Sequence, residues 1–140
     1  MAILTDVFVS LVSDAPKYES LQASGQPGTQ FEVAQFNGLT NLEFGTLWAI
    51  LNNEEFDFDK HALESLAPEG ETWLFRFPAA YVQKLATLGP AQAKKTAATW
   101  ASTDELQWEP AEAEEVVGEL IRLAKLAGLP SKGLYFWGSV

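Results

Sequence analysis

His61 is the only histidine in the chain, so any imidazole-based catalysis or metal binding must depend on it. It lies in the segment EEFDFDKHALE, with Asp57 four residues before it and Glu64 three residues after it. On a helix, these three side chains would share one face. One imidazole and two carboxylates on a common face could hold a divalent cation, or support a small carboxylate-dependent enzyme.

The same segment has a simpler structural interpretation. Asp57 or Asp59 could cap a helix whose acidic first turn complements the helix dipole. We favour this interpretation because the spacing of known hard-cation motifs, such as the EF-hand loop, is missing from the sequence. We therefore predict neither a metal site nor a cofactor.

Arg76 is the second candidate, because it interrupts the apolar segment WLFRF. In a strand it would share a face with Leu74. If that face were covered, the guanidinium would need a carboxylate, since an unpaired buried charge is very costly. Arg76 could instead bind an anionic ligand. We favour an internal ion pair or a solvated face, because one arginine without a glycine-rich loop or a second cation makes a poor phosphate site.

No established catalytic motif accompanies these candidates. The sequence contains no G-x-S-x-G, phosphate-binding loop, dinucleotide fingerprint or H-E-x-x-H pattern. It contains no cysteine, which excludes disulfides, thiolate nucleophiles and iron–sulfur clusters and fits a reducing compartment. The residue types therefore favour binding over catalysis.

The charge balance limits the classes of partner. The chain has 19 Asp and Glu residues against 9 Lys and Arg residues, a formal net charge of −10. Nucleic acids and anionic membrane surfaces would be repelled, so we expect neither as a partner. A basic protein would be attracted, although acidity also serves solubility alone.

The apolar segments indicate where the protein resides. The first residues, MAILTDVFVS, lack the positive charge that precedes the apolar part of a secretory signal. Runs such as LWAIL are too short to cross a bilayer. We expect a cytoplasmic protein with no membrane-spanning segment.

Local patterns predict the elements that must position these residues. β-Branched and aromatic runs predict strands over 7–12, 31–36, 72–77 and 134–137. Capping residues, prolines and helical spacing predict helices over 13–25, 40–53, 57–67, 78–88, 90–101 and 110–127. The order predicts one α+β domain over 1–140, with a small antiparallel or mixed sheet of about four strands packed by helices.

The closing segment KGLYFWGSV is the most distinctive of the strands. Leu134 and Phe136 would point to one side and Tyr135 and Trp137 to the other. Both sides are apolar, which favours a strand covered on both faces. We predict a buried C-terminal strand.

Three segments also carry a resemblance: TDVFV near the start, GETWLFRFPAAYVQKLA in the middle and KGLYFWGSV at the end. In this order, and over most of the chain, they resemble an uncharacterised family of small bacterial proteins. The resemblance implies one intact cytoplasmic domain of bacterial origin. The family brings no established activity, ligand or catalytic residue, so the resemblance implies nothing about mechanism.

Three hypotheses for the function remain. The favoured one is a non-enzymatic binding domain whose acidic surface engages a basic partner, as an immunity-type protein would. The second is a metal-binding protein or small enzyme centred on His61. The third is a structural domain that forms homo-oligomers through its aromatic residues.

Overall fold

The computed structural model of the chain describes residues 3–11, 15–18, 32–66, 72–103, 106–127 and 132–139. The predicted α+β class is confirmed: one antiparallel sheet is packed by helices. The strands lie in the order β2-β1-β5-β4-β3. They are β1 (Leu4–Leu11), β2 (Glu32–Asn37), β3 (Glu64–Ser65), β4 (Thr72–Arg76) and β5 (Lys132–Ser139). The sheet has five strands where about four were expected, because the two-residue β3 adds an edge strand.

Five α-helices lie within these ranges. They are α1 (Asn41–Leu51), α2 (Phe58–His61), α3 (Ala79–Ala86), α4 (Pro90–Ala101) and α5 (Pro110–Leu126). Of the helix predicted over 13–25, the structure describes a 3-10 turn at Ala15–Lys17 and Tyr18, and the rest lies outside the described residues. None of the helices described is long and apolar enough to cross a bilayer.

The start of α1 is fixed by a capping box. The Thr40 hydroxyl accepts a hydrogen bond from the Leu42 N–H, and the Glu43 carboxylate accepts one from the Thr40 N–H at 2.7 Å. Two backbone donors that helix formation leaves without partners are thereby satisfied. The sequence pattern predicted this arrangement.

The C-terminal strand β5 is buried in the sheet, as predicted, and it occupies the central position. It pairs with β1 along its whole length, from Leu4 opposite Ser139 to Leu11 opposite Lys132. On its other side it pairs with β4. Its interior residues are buried, because neighbouring strands cover both edges and packed side chains cover both faces.

The helix-packed face of the sheet forms the main core. Phe136 of β5 lies there between Phe44 of α1 and Phe75 of β4, with ring centroids 4.8 and 4.9 Å away. Val7 of β1 and Leu120 of α5 belong to the same buried cluster. Apolar residues at alternate strand positions meet the apolar stripes of the helices, which is the usual origin of an α+β core.

The opposite face of the sheet carries a second, smaller cluster. Phe8 stacks on Tyr18 with ring centroids 3.9 Å apart, and Tyr135 and Trp137 belong to the same cluster. Its members are Phe8, Ala15, Tyr18, Leu74, Tyr135 and Trp137. The two sides of β5 therefore enter two different buried clusters.

The predicted helix over 57–67 is wrong. Its first turn forms α2, but the chain becomes extended at Ala62, and Glu64 enters β3 opposite Arg76. Leu63 is buried, and its N–H donates to the Asn41 side chain at 2.9 Å. Burial of Leu63 and pairing with β4 therefore override the local helical pattern.

Candidate functional site

The structure separates the four predicted site residues into two pairs. Asp57 and His61 lie together around α2, as expected. Glu64 and Arg76 face each other across β3 and β4. The predicted common helical face of Asp57, His61 and Glu64 does not exist, because the helix ends at His61.

His61 is a structural residue of its own turn. Its ring is 1% exposed, and Nδ1 accepts a hydrogen bond from the Asp57 N–H at 2.9 Å. The neutral ring therefore carries its proton on Nε2, which faces Glu54 Oε1 at 3.5 Å. The backbone is packed as closely: a Cβ added to Gly45 would lie 2.8 Å from the His61 carbonyl oxygen. The imidazole is thus buried, and its hydrogen bond with the Asp57 N–H stabilises the turn.

This geometry gives no metal centre. Nδ1 of His61 is occupied by a backbone donor, and Glu64 belongs to the neighbouring strand. Within the described ranges, no group of three or more His, Asp or Glu residues is placed to hold a metal ion.

Residues 54–59 form an acidic loop that ends in Phe58 and Asp59, the first two residues of α2. Its four carboxylate residues, Glu54, Glu55, Asp57 and Asp59, are all exposed. Phe58 within this segment is 62% exposed, more than any other large hydrophobic residue described. A hydrogen bond from Lys60 lowers the pKa of Glu54, so this carboxyl stays charged at neutral pH. The loop thus presents an aromatic ring among negative charges.

Arg76 belongs to a different region, on the opposite face of the sheet. The register places four side chains in one row across β3, β4, β5 and β1, namely Glu64, Arg76, Tyr135 and Phe8. The guanidinium carbon of Arg76 lies 5.9 Å from the centroid of the Tyr135 ring, which is a cation–π distance. Among the described residues Arg76 has no salt bridge to a carboxylate. Of the two arrangements favoured from the sequence, an internal ion pair or a solvated face, the ion pair is not formed among the described residues.

Tyr135 brings a buried polar group to the same row. It is 1% exposed, and its hydroxyl has no hydrogen-bond partner in the part of the chain that is described. The hydroxyl lies against Gly133: a Cβ at that position would come within 2.9 Å of it. Burial raises the pKa of Tyr135, so the phenol is protonated at neutral pH and can donate a hydrogen bond.

Asp6 is a further buried ionisable group on this face. It is 3% exposed, and it accepts a hydrogen bond from the Tyr18 hydroxyl at 2.7 Å. Burial raises the pKa of Asp6, while the hydrogen bonds from Tyr18 and Gln35 oppose that shift. The acidity of this carboxyl is therefore set by its burial on the opposite face.

Sequence reasoning missed Tyr135, Asp6 and the exposure of Phe58. Alternation along β4 and β5 correctly places Arg76 and Tyr135 opposite to the helix-packed face. Only the strand register, which depends on contacts between distant parts of the chain, brings them into one row. Comparisons of the chain with protein-family models, with curated proteins and with solved structures found no match.

Proposed function

We propose that the protein is a non-enzymatic binding domain that engages a basic protein partner through the acidic loop. The observation that carries this proposal is the 62% exposure of Phe58 within a loop of four exposed carboxylates. Exposed aromatic rings are frequent anchors of protein interfaces.

Hydrogen bonds fix the conformation of the acidic loop in the unbound protein. The Asp57 carboxylate accepts a hydrogen bond from the Asp59 N–H at 3.0 Å, and the Asp57 carbonyl accepts one from the His61 N–H at 2.8 Å. His61 itself is fixed by burial. A preformed loop loses little conformational entropy on binding, so more of the interaction free energy appears as affinity.

The charges define the chemistry of the partner. An apolar socket for Phe58, surrounded by Lys or Arg side chains, would complement the loop. With a net charge of −10, the whole molecule would also accelerate the encounter with a basic protein. This is the chemistry of an immunity-type protein that neutralises a basic partner.

The expected setting of this activity is the bacterial cytoplasm. The family resemblance of the segments TDVFV, WLFRFP and KGLYFW suggests a bacterial origin. The absence of cysteine fits a reducing compartment.

Photo-crosslinking in cells of the source organism tests the proposal. A photoreactive phenylalanine analogue replaces Phe58 in the full chain, and the same analogue replaces Ala111 in a control. Ala111 is also exposed and lies between the exposed residues Glu109 and Glu112, but it is not aromatic in the native chain. A crosslink from position 58 to a basic protein, absent from position 111, supports the proposal.

Two other results would contradict it. A crosslink to a second copy of the chain would favour the homo-oligomer hypothesis, and equal labelling from both positions would remove the role of the loop. With the partner in hand, Phe58→Ala should weaken binding by about 2 kcal/mol or more. The double substitution Glu55→Gln, Asp59→Asn should mainly slow association and reduce its salt dependence.

A further inference from the structure

The charges of the chain are unevenly distributed along its length. Residues 72–103, which include β4, α3 and α4, contain four basic residues and no Asp or Glu, a formal charge of +4. Since the whole chain carries −10, the remainder carries −14. Three of the four cations, Lys84, Lys94 and Lys95, lie on α3 and α4 and are exposed. These two helices therefore give a strongly acidic protein a basic surface.

A surface groove of about 420 Å³ lies between the end of α1 and the helices α3 and α4. Lys84 lines it from α3 and Lys95 lines it from α4. Within the described ranges, no carboxylate pairs with either lysine. The one carboxylate among the described lining residues, Glu54, already accepts a hydrogen bond from Lys60. The groove thus holds two cations that lack a counter-charge.

We propose that this groove binds a short acidic peptide segment of a partner protein, with an apolar side chain between its carboxylates. Ile50 and Leu88, both half-buried, give the groove an apolar part on which that side chain packs. The carboxylates of the segment pair with the two lysines. The side chains of Gln92 and Thr96, which also line the groove, offer hydrogen bonds to a peptide backbone.

The negative charge of the remaining surface limits the length of the ligand. The Debye length is about 8 Å at physiological ionic strength, so a short segment in the groove interacts mainly with the nearby lysines. A nucleic acid extends beyond the groove and would meet surfaces of the part of the chain that carries −14. Charge complementarity therefore favours a short acidic segment over a long polyanion.

The groove adjoins the acidic loop, because Glu54 belongs to both. The two surfaces nevertheless have opposite charge and would bind different partners. The groove proposal does not rest on the proposed function. Crosslinking from position 58 tests the loop alone, so either proposal can fail without the other.

Titration of the full chain with a synthetic peptide tests the proposal. The peptide has a leucine and a phenylalanine flanked on each side by two glutamates, both ends are blocked, and the salt concentration is about 0.15 M. The control peptide has glutamine in place of each glutamate. Binding is measured by calorimetry and by the chemical shifts of the Thr96 and Thr99 amides. We expect saturable binding of the acidic peptide and about tenfold weaker binding of the control, because an exposed ion pair contributes up to about fivefold.

Matched lysine substitutions test the position of the charge. Lys84→Gln and Lys95→Gln should each weaken binding of the acidic peptide by about threefold, and the double variant by about tenfold. Lys94→Gln is the control, because Lys94 is equally exposed on α4 but does not line the groove. It should change the affinity by less than about twofold. The thermal midpoint of each variant shows that the fold is retained.

A second matched pair tests the groove itself. Thr99→Phe places a ring in the groove and should abolish peptide binding, whereas Ala98→Phe, on the exposed surface beside it, should leave binding unchanged. The proposal is overturned if the acidic peptide does not saturate the protein, if the control peptide binds equally well, or if Lys94→Gln weakens binding as much as Lys95→Gln. Tighter binding of a single-stranded oligothymidylate would identify a nucleic acid as the occupant. Self-association that Lys95→Gln abolishes would identify a second copy of the chain, and either result overturns the proposal.

Discussion

The two faces of the sheet differ in how their buried polar groups are hydrogen-bonded. In the helix-packed core the Thr5 and Tyr81 hydroxyls donate to backbone carbonyls at 2.6 Å, and the Trp100 indole N–H donates to one at 3.0 Å. The exceptions among the described residues are the Trp73 indole N–H, packed against Gly138, and Nε2 of His61, whose turn packs against α1. On this face, polar atoms mostly complete the hydrogen bonding of the backbone.

On the opposite face, the buried polar groups have fewer hydrogen-bond partners. The hydroxyl of Tyr135 and the indole N–H of Trp137 have no hydrogen-bond partner in the described ranges. Unsatisfied buried groups reduce the free energy of unfolding, and they are rare in native proteins. The Asp6 carboxyl, buried on the same face, does accept a hydrogen bond, from Tyr18. The difference indicates that the helix-packed face provides most of the stability. The opposite face retains buried polar groups whose presence stability does not explain.

The largest expected effect is on the helix-packed face. Phe136 is fully buried against Phe44, Phe75 and Phe77. Phe136→Ala leaves a cavity there and should lower the free energy of unfolding by about 3–5 kcal/mol, measured by urea denaturation. A loss below about 1 kcal/mol would mean that the helix-packed face is not the main source of stability.

The second prediction tests how closely side chains are packed on the helix-packed face near the end of β5. A Cβ on Gly138 would lie 2.1 Å from Nε1 of Trp73, so Gly138→Ala must displace the indole. We expect a loss of about 1–3 kcal/mol. The control is Gly118→Ala in α5, where no atom lies within 4 Å of the new methyl group and the helix should gain about 0.5–1 kcal/mol. Similar results for both variants would contradict close packing at Gly138.

The smallest effect concerns the pH dependence contributed by Asp6 on the opposite face. Because burial raises its folded-state pKa, the folded protein binds the proton more tightly than the unfolded chain. The stabilising contribution is complete below the unfolded pKa, about 3.9, and is lost as pH rises through the folded pKa. The wild type should therefore lose stability relative to Asp6→Asn over this range, as measured by urea midpoints. A difference that does not vary with pH would contradict the role of burial.

The sequence predicted those parts of the fold that depend on local signals. The capping box at Thr40 predicted the start of α1, and the apolar alternation of Tyr135 and Phe136 predicted a strand covered on both faces. The helix over 57–67 was predicted wrongly because burial of Leu63 and pairing of Glu64 with β4 are long-range effects.

The candidate sites depend on long-range contacts to a greater extent. The sequence identified Arg76 as a possible anion ligand, but its place beside Tyr135 depends on the pairing of β4 with β5. The exposure of Phe58, the first residue of α2, depends on how this short helix packs against the rest of the fold. The residues adjacent in sequence to Arg76 and Phe58 do not predict either arrangement.

Tyr135→Phe tests most directly the claim that the opposite face buries polar groups that do not contribute to stability. The substitution removes only the buried hydroxyl and leaves an aromatic ring beneath Arg76. We predict that the free energy of unfolding, measured by urea denaturation, rises by about 1 kcal/mol, because an unsatisfied buried group is lost. A less stable protein would contradict the claim.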